Sequence, residues 1–298
     1  MRFADAEQSV GVALLAVWAL VTALSVLGRV PRVGRLSTST LIGTGVAAGL
    51  FALQATVVDA VADPDGISAA DAPALHWFVE HRTSGATGLA RVVSDAGGTA
   101  GMAVLAAAAA LVLWFRRRRW EAAVVIVATA GAGVLVETLK NVYDRARPPL
   151  ATRLAVETNY SLPSGHALGS FVVLGVLAAV AVVVLRGVVA RAAAVAVAVL
   201  AVVVIGLSRL YLGVHWLTDV LDGWLVGGTW LALCVTLLVH RRPVPVPDPD
   251  PAVEMPAADD GAQPHPADPQ TVRLVTGPPA EQVGDQPTVP VPRPDGRH

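Results

Sequence analysis

Charge is scarce in this 298-residue chain: Asp, Glu, Lys and Arg together make up 15% of it, against 54% hydrophobic residues. A soluble globular domain carries roughly a quarter charged residues, so the deficit argues against one. With a net charge of only −1 it also excludes a disordered chain or a nucleic-acid-binding protein as the main reading. Cysteine is nearly missing, and the single Cys234 rules out an internal disulfide and a cysteine-based zinc site. Lysine is nearly missing too: of 22 basic residues, all but Lys140 are arginine. A chain that has drifted to arginine wherever either cation serves draws attention to the one position that kept lysine. What the chain has in abundance is long apolar sequence, with a mean hydropathy of +0.59. That balance predicts an all-α, polytopic membrane bundle.

A bilayer-spanning helix needs roughly 20 mostly apolar residues. Seven stretches approach that length, at 10–28, 41–61, 99–115, 122–139, 167–185, 192–207 and 217–239. Small residues fill most of them, which suits close helix packing in lipid. Under strict alternation Arg29, Arg32 and Arg35, then Arg116 to Arg119, then Arg186 and Arg191, then Arg241 and Arg242 all fall on one side. Loop arginines mark the cytoplasm, so that side is expected inside, with the N-terminus outside. The opposite side carries Asp63, Asp65, Asp71, Glu80 and Asp95 in its longest loop, residues 62–98. That loop holds Leu75, Trp77, Phe78, Leu89, Val92 and Val93 and is expected to lie as an interfacial amphipathic segment, with His76 and His81 at the surface. The first stretch competes with a signal peptide. Asp5 and Glu7 replace the basic residues such a peptide needs, and no small-residue cleavage site follows, so a retained helix is expected. After Arg242 the sequence turns rich in Pro, Asp and Ala, with 15 of the 21 prolines, and is expected as a disordered cytoplasmic tail.

Polar residues beside membrane spans are costly, so their clusters point to function. Three clusters adjoin spans, and alternation puts all three at the external end. The first runs Lys140-Asn141-Val142-Tyr143-Asp144-Arg145-Ala146-Arg147-Pro148 and breaks the positive-inside trend, a pattern that calls for an anionic partner or lipid headgroups. The second, Pro163-Ser164-Gly165-His166, opens a span. Ser164 caps a helix there, and a helix N-terminus whose glycine admits close approach is an anion site. His166 beside it can move a proton near neutral pH. The third contains Ser208-Arg209 and then His215 and Asp219. These last two are four apart, hence on one face of a helix, where a carboxylate fixes the imidazole tautomer and makes the other nitrogen a better nucleophile or base. Asp222 is expected to face the headgroup region near Trp216 and Trp224, and Asp144 and Arg145 are expected to pair with each other.

Lys-x6-Arg-Pro, Pro-Ser-Gly-His and Ser-Arg-x5-His-x3-Asp, in that order and without substitution, closely resemble the motifs of the type 2 phosphatidic acid phosphatase superfamily of membrane lipid phosphatases. The resemblance implies a six-helix phosphatase core at 41–240, an additional N-terminal transmembrane helix and cytoplasmic loop at 1–40, and a tail at 241–298. It implies that Lys140, Arg147, Ser164, Gly165 and Arg209 bind phosphate, and that His215 attacks phosphorus to give a phosphohistidine. Asp219 then orients His215, and His166 protonates the leaving oxygen before activating water. Three fixed cations stand where magnesium acts elsewhere, so no metal or other cofactor is expected. The partner expected is a lipid phosphate in the bilayer, met at the external face. Bacterial members of the superfamily act on polyprenyl diphosphates, phosphatidylglycerophosphate, phosphatidic acid or diacylglycerol pyrophosphate, and a polyprenyl diphosphate is the favoured substrate. A lipid phosphotransferase is one alternative, and a phospholipid transporter or non-catalytic binding protein another. Pure binding needs the cations but not the paired histidines. Vanadium-dependent haloperoxidases share the motifs, but they are soluble.

Overall fold

The computed structural model describes residues 37–63 and 66–240. The expected first span, Asp65, the loop arginines Arg29, Arg32 and Arg35, the pair Arg241 and Arg242, and the proline-rich tail all lie outside the described residues. Eight α-helices account for most of the described chain, and no strand lies among the described residues. They are α1 (Thr38–Ala62), α2 (Asp71–Glu80), α3 (Ser84–Gly97), α4 (Thr99–Phe115), α5 (Arg119–Tyr143), α6 (Gly165–Val184), α7 (Val188–Tyr211) and α8 (Leu217–His240).

Five of these, α1, α5, α6, α7 and α8, are each long and apolar enough to cross a membrane. The expected span at 99–115 is short because it is the second half of a broken element. Helix α3 runs into α4 through Gly98, whose extended backbone bends the pair by 50°, and counted as one the pair makes a sixth span. The expected span at 192–207 falls short for a different reason. Polar Ser208 and Arg209 at one end and Arg191 at the other interrupt the apolar run but not the helix, which continues from Val188 to Tyr211.

A core of Val124, Val125, Ala128, Leu168, Val172, Val173 and Val176 fills the space where α4, α5, α6 and α8 meet. The outer faces are also apolar. Val104, Leu111, Ile126, Val134, Val197 and Leu200 are each more than half exposed. A soluble protein does not present so much contiguous apolar surface; lipid is the solvent that suits it. The chain is a multi-pass membrane protein.

Two glycines of α8 decide where its first turns sit. A Cβ at Gly223 would lie 2.8 Å from the Ser164 carbonyl oxygen, and one at Gly227 would lie 3.1 Å from that of Leu168. Only glycine lets the two backbones come this close, so α8 runs hard against the start of α6. The turns between α5 and α6 and between α7 and α8 come together at that end, under α2 and α3. At the opposite end lie Arg116 to Arg119, Arg186 and Arg191. The loop expected as one interfacial segment is two helices partly sunk into the bundle. Asp71 and Leu75 of α2 and Ala90, Ser94 and Gly97 of α3 are buried, while Trp77, Leu89 and Val92 stay exposed. His76 and His81 are at the surface, as read from the sequence.

Candidate active site

Each of the three motifs lies at a helix terminus at the same end of the bundle. Lys140 occupies the last turn of α5 yet is only 4% exposed, and its ammonium donates to the Tyr160 carbonyl and to Asn159 Oδ1. Asp144 then ends α5 in a left-handed conformation, φ 49°, which turns the chain back across the bundle. Arg147 is held on both sides. Its Nε and Nη2 donate to the backbone oxygen and Oδ1 of Asn159, each at 2.7 Å, and its Nη1 donates to the Val214 carbonyl at 2.7 Å.

Ser164 is the N-cap of α6, its hydroxyl oxygen accepting from the Ala167 N–H, and its own N–H donates to the Asp219 carbonyl at 3.0 Å. Gly165 packs beside Val136 and Lys140 of α5. His166 stands in the first turn of α6, and its Nε2 lies against Gly98 at the α3–α4 break.

Arg209 closes α7, is 2% exposed, and donates to Ser94 Oγ and to Glu157 Oε1. After α7 the chain must reverse within a few residues. It does so at Gly213, in the left-handed region with φ +67°, where a Cβ would lie 2.3 Å from the Thr152 carbonyl oxygen. That turn delivers His215, which is 2% exposed, to the mouth of α8.

The network fixes the tautomer of His215. Arg147 Nη1 lies 3.2 Å from Nε2 and can only donate, so Nε2 is the acceptor and the proton is on Nδ1, which donates to Asp219 Oδ2 at 3.3 Å. Burial, first of all, and then Arg147 and Arg209 push the imidazole down to about 4 against the opposing pull of Asp219. His215 is therefore neutral at physiological pH, with its lone pair on Nε2. Asp219 itself is wholly buried, and its carboxylate accepts from the Trp216 N–H at 2.8 Å, from Ser161 Oγ and from Arg145 Nη1 at 2.6 Å. The bond to Trp216 is the return half of a capping box at the N-terminus of α8.

Glu157 escaped the sequence reading. Its carboxylate is shared between Arg209 and Arg147, with 3.6 Å to the latter, and it lies within the fields of His215 and His166. Burial alone would raise this carboxyl, but the two arginines outweigh burial and hold it below the ordinary glutamate range. An anion thus sits at the point on which the cations and both histidines converge. No sequence pattern marks it; the only hint is an acid in a loop whose other charges are mostly arginine.

Two expectations are corrected. Arg145 does not pair with Asp144. The left-handed turn at Asp144 swings Arg145 away, and its guanidinium bridges Asp219 and Asp71. Asp222 does not face the headgroups. It is fully buried on the face of α8 that meets α1, where Gln54 Nε2 donates to its Oδ1 at 3.1 Å. Among the described residues no cluster of three or more His, Cys, Asp or Glu side chains is arranged to hold a metal ion.

An apolar cavity of about 340 Å³ lies between α4, α5 and α6, reaching from Met102 and Val173 at membrane depth to Gly98 and Gly165 at the polar end.

The fold and this polar end define a helical membrane protein with an anion-binding cup of buried arginines, a buried lysine and two histidines. Residues 121–243, which include all three motifs, match the family model of the PAP2 superfamily. In that region the chain is similar to the type 2 phosphatidic acid phosphatase superfamily. It is 37% identical over 95 residues to phosphatidylglycerophosphatase B of Bacillus subtilis strain 168, a match covering 32% of this chain and 46% of the relative. The match thus spans about half the length of that relative. A crystal structure described as the first transmembrane PAP2-type phosphatidylglycerolphosphate phosphatase, from Bacillus subtilis, shares the fold with a TM-score of 0.63 at 24% identity, over 66% of this chain and 98% of that one.

Proposed function

We propose that the protein is an integral-membrane lipid phosphatase working through a phosphohistidine, with its active site on the external face and its C-terminal tail in the cytoplasm. The observation that carries the reading is the Glu157 carboxylate held by Arg147 and Arg209 beside His215 and His166. A carboxylate there stands in for the phosphoryl oxygens of a substrate. When phosphate displaces it, Arg147 and Arg209 grip two oxygens with their forks, Lys140 adds a point charge, and the start of α6 at Ser164 and Gly165 adds its N–H groups.

Arg147 then turns its Nη1 donor from His215 Nε2 to a phosphoryl oxygen, freeing the lone pair. Nε2 attacks phosphorus, the bond to the leaving oxygen breaks, and His166, protonated beside the bound phosphate whose charge favours the imidazolium, gives that oxygen a proton. Asp219 steadies the Nδ1–H as charge builds on the ring. Neutral His166 next takes a proton from water, whose oxygen attacks phosphorus. The P–N bond breaks, inorganic phosphate leaves and His215 is restored. Fixed cations neutralise the transferring group, the largest part of catalysis in phosphoryl transfer, so chelators leave activity unchanged.

The cavity between α4, α5 and α6 supports a lipid substrate, because it offers an apolar chain room from membrane depth up to Gly98 and Gly165, the neighbours of His166. A polyprenyl diphosphate is the favoured substrate. Phosphatidylglycerophosphate is the second reading, on the strength of the similarity to phosphatidylglycerophosphatase B of Bacillus subtilis. Phosphate release by the purified full-length protein in detergent, across polyprenyl diphosphate, phosphatidylglycerophosphate, phosphatidic acid and diacylglycerol pyrophosphate, separates them. Release from none of these, or transfer of label to an acceptor other than water, overturns the hydrolase. Substrate crossing reconstituted vesicles without phosphate release points instead to transport.

A further inference from the structure

The catalytic scheme above leaves two buried charges unused. Arg145 and Asp71 stand behind Asp219, away from the anion cup. Arg145 lies at a variable position of the first motif, and Asp71 opens α2, far outside the motifs. Together with Thr218 they form a closed network. Arg145 Nη1 donates to Asp219 Oδ1 at 2.6 Å and to Thr218 Oγ1 at 2.8 Å, while Nη2 donates to Asp71 Oδ2 at 2.7 Å. Asp71 in turn accepts from the Thr218 N–H at 2.9 Å through Oδ1 and from the Thr218 hydroxyl at 2.7 Å through Oδ2. The Trp216 ring lies 5.9 Å from the guanidinium carbon. Asp71 is 4% exposed, and Thr218 and Asp219 are fully buried.

Resting on the phosphatase reading of His215, we propose that Arg145 and Asp71 are positioning residues for the nucleophile: α2 holds Arg145, Arg145 holds Asp219, and Asp219 holds His215. The geometry gives each a distinct task. Oδ2 of Asp219 serves His215, Trp216 and Ser161, and Arg145 ties Oδ1, so the carboxylate is held at both oxygens against rotation about its Cβ–Cγ bond. The arginine fork spans two carboxylates at once, which the point charge of lysine does not. Asp71 aims the fork and caps the first turn of α8 through Thr218. The extramembrane helix α2 thereby becomes part of the catalytic apparatus without touching substrate.

The groups that face His215 come from every packed element. They are Asp219 on α8, Arg147, Glu157 and (through Asp219) Arg145 from the α5–α6 turn, Lys140 on α5, His166 on α6, Arg209 on α7, and Asp71 on α2 at the far end of the network. The charge signs make the two residues separable. Without Arg145, Asp219 acts on the imidazole unopposed and the imidazolium is favoured. Without the charge of Asp71, Arg145 acts on Asp219 undivided and the imidazolium is disfavoured.

The test compares wild type, R145Q, R145K and D71N as full-length proteins in detergent. It reads phosphate release against pH and, with no substrate, the NMR titration of the His215 ring, assigned with H215Q. For R145Q we expect a kcat loss of about ten- to a hundred-fold with KM changed less than about threefold. Its acidic limb and ring titration should move to higher pH, and those of D71N to lower pH, with R145K recovering part of the R145Q loss. A merely structural role moves both variants the same way or lowers only their melting temperatures, and either result overturns the proposal. Wild type that releases no phosphate overturns the phosphatase reading instead. The ring titration still decides the positioning in that case, and identical titrations in wild type, R145K and D71N sink it. R145K and D71N carry the comparison if R145Q does not fold.

Discussion

As the proposed nucleophile, His215 meets two demands that pull against each other: it must be unprotonated, yet it must sit beside phosphate and a carboxylate, both of which favour imidazolium. Burial and two arginines settle the conflict by holding the ring at about 4. Because kcat/KM reports the free enzyme, its acidic limb should fall near that value. The same depression has a stability consequence. The unfolded chain takes up the proton near the ordinary value of 6.5 and the folded chain only near 4, so stability is lost as pH falls through that window and is flat above it. Melting of H215Q in detergent should lack that component, and an identical pH dependence in wild type and H215Q would count against the assignment. Glu157 gives a second residue-level prediction. Its carboxylate competes with phosphate for Arg147 and Arg209, so E157Q should be inhibited by inorganic phosphate at concentrations about ten-fold lower, a change of roughly 1.4 kcal/mol. Weaker phosphate inhibition in E157Q contradicts the stand-in role.

At the scale of elements, the turn between α7 and α8 shows what the sequence discloses and what it hides. The spacing of His215 and Asp219 suggests one face of a continuous helix. In fact His215 precedes α8, which begins at Leu217, and Asp219 is its third residue. The two side chains still meet, because a carboxylate at that position of a capping box reaches back past the helix start. Gly213 is what makes the reversal work. G213A should be strained by its φ of +67° and driven into the Thr152 carbonyl, lowering both the melting temperature and kcat. A fully active, equally stable G213A would show that the turn relaxes freely. The three motif ends were legible as neighbours because each abuts a span and alternating spans return to the same end. Arg145, Asp71, Ser161 and Glu157 were not legible. Each reaches its partner across 52 to 74 residues of intervening chain, so the pairing is decided by how turns pack and not by any local spacing.

At the scale of the whole molecule the open issue is which way the bundle faces. With α3 and α4 as one bent span the described helices make six crossings, which puts the N-terminal end of α1 and the C-terminal end of α8 on one side, together with Arg116 to Arg119, Arg186 and Arg191. Loop arginines are retained in the cytoplasm. The three motif cations of the other end do not compete with that rule, because Lys140, Arg147 and Arg209 have buried side chains engaged within the protein. Residue accessibility offers a direct test. Val156 is 92% exposed at the polar end and Val188 is 77% exposed at the arginine-rich end, while the native Cys234 is 3% exposed and should not react. In intact cells a membrane-impermeant maleimide should label V156C but not V188C, and permeabilisation should expose both. The reverse pattern turns the site inward and with it the lipid pool that the proposed phosphatase serves: one facing the cytoplasm meets newly made lipid phosphates, whereas one facing outward meets only those already carried across.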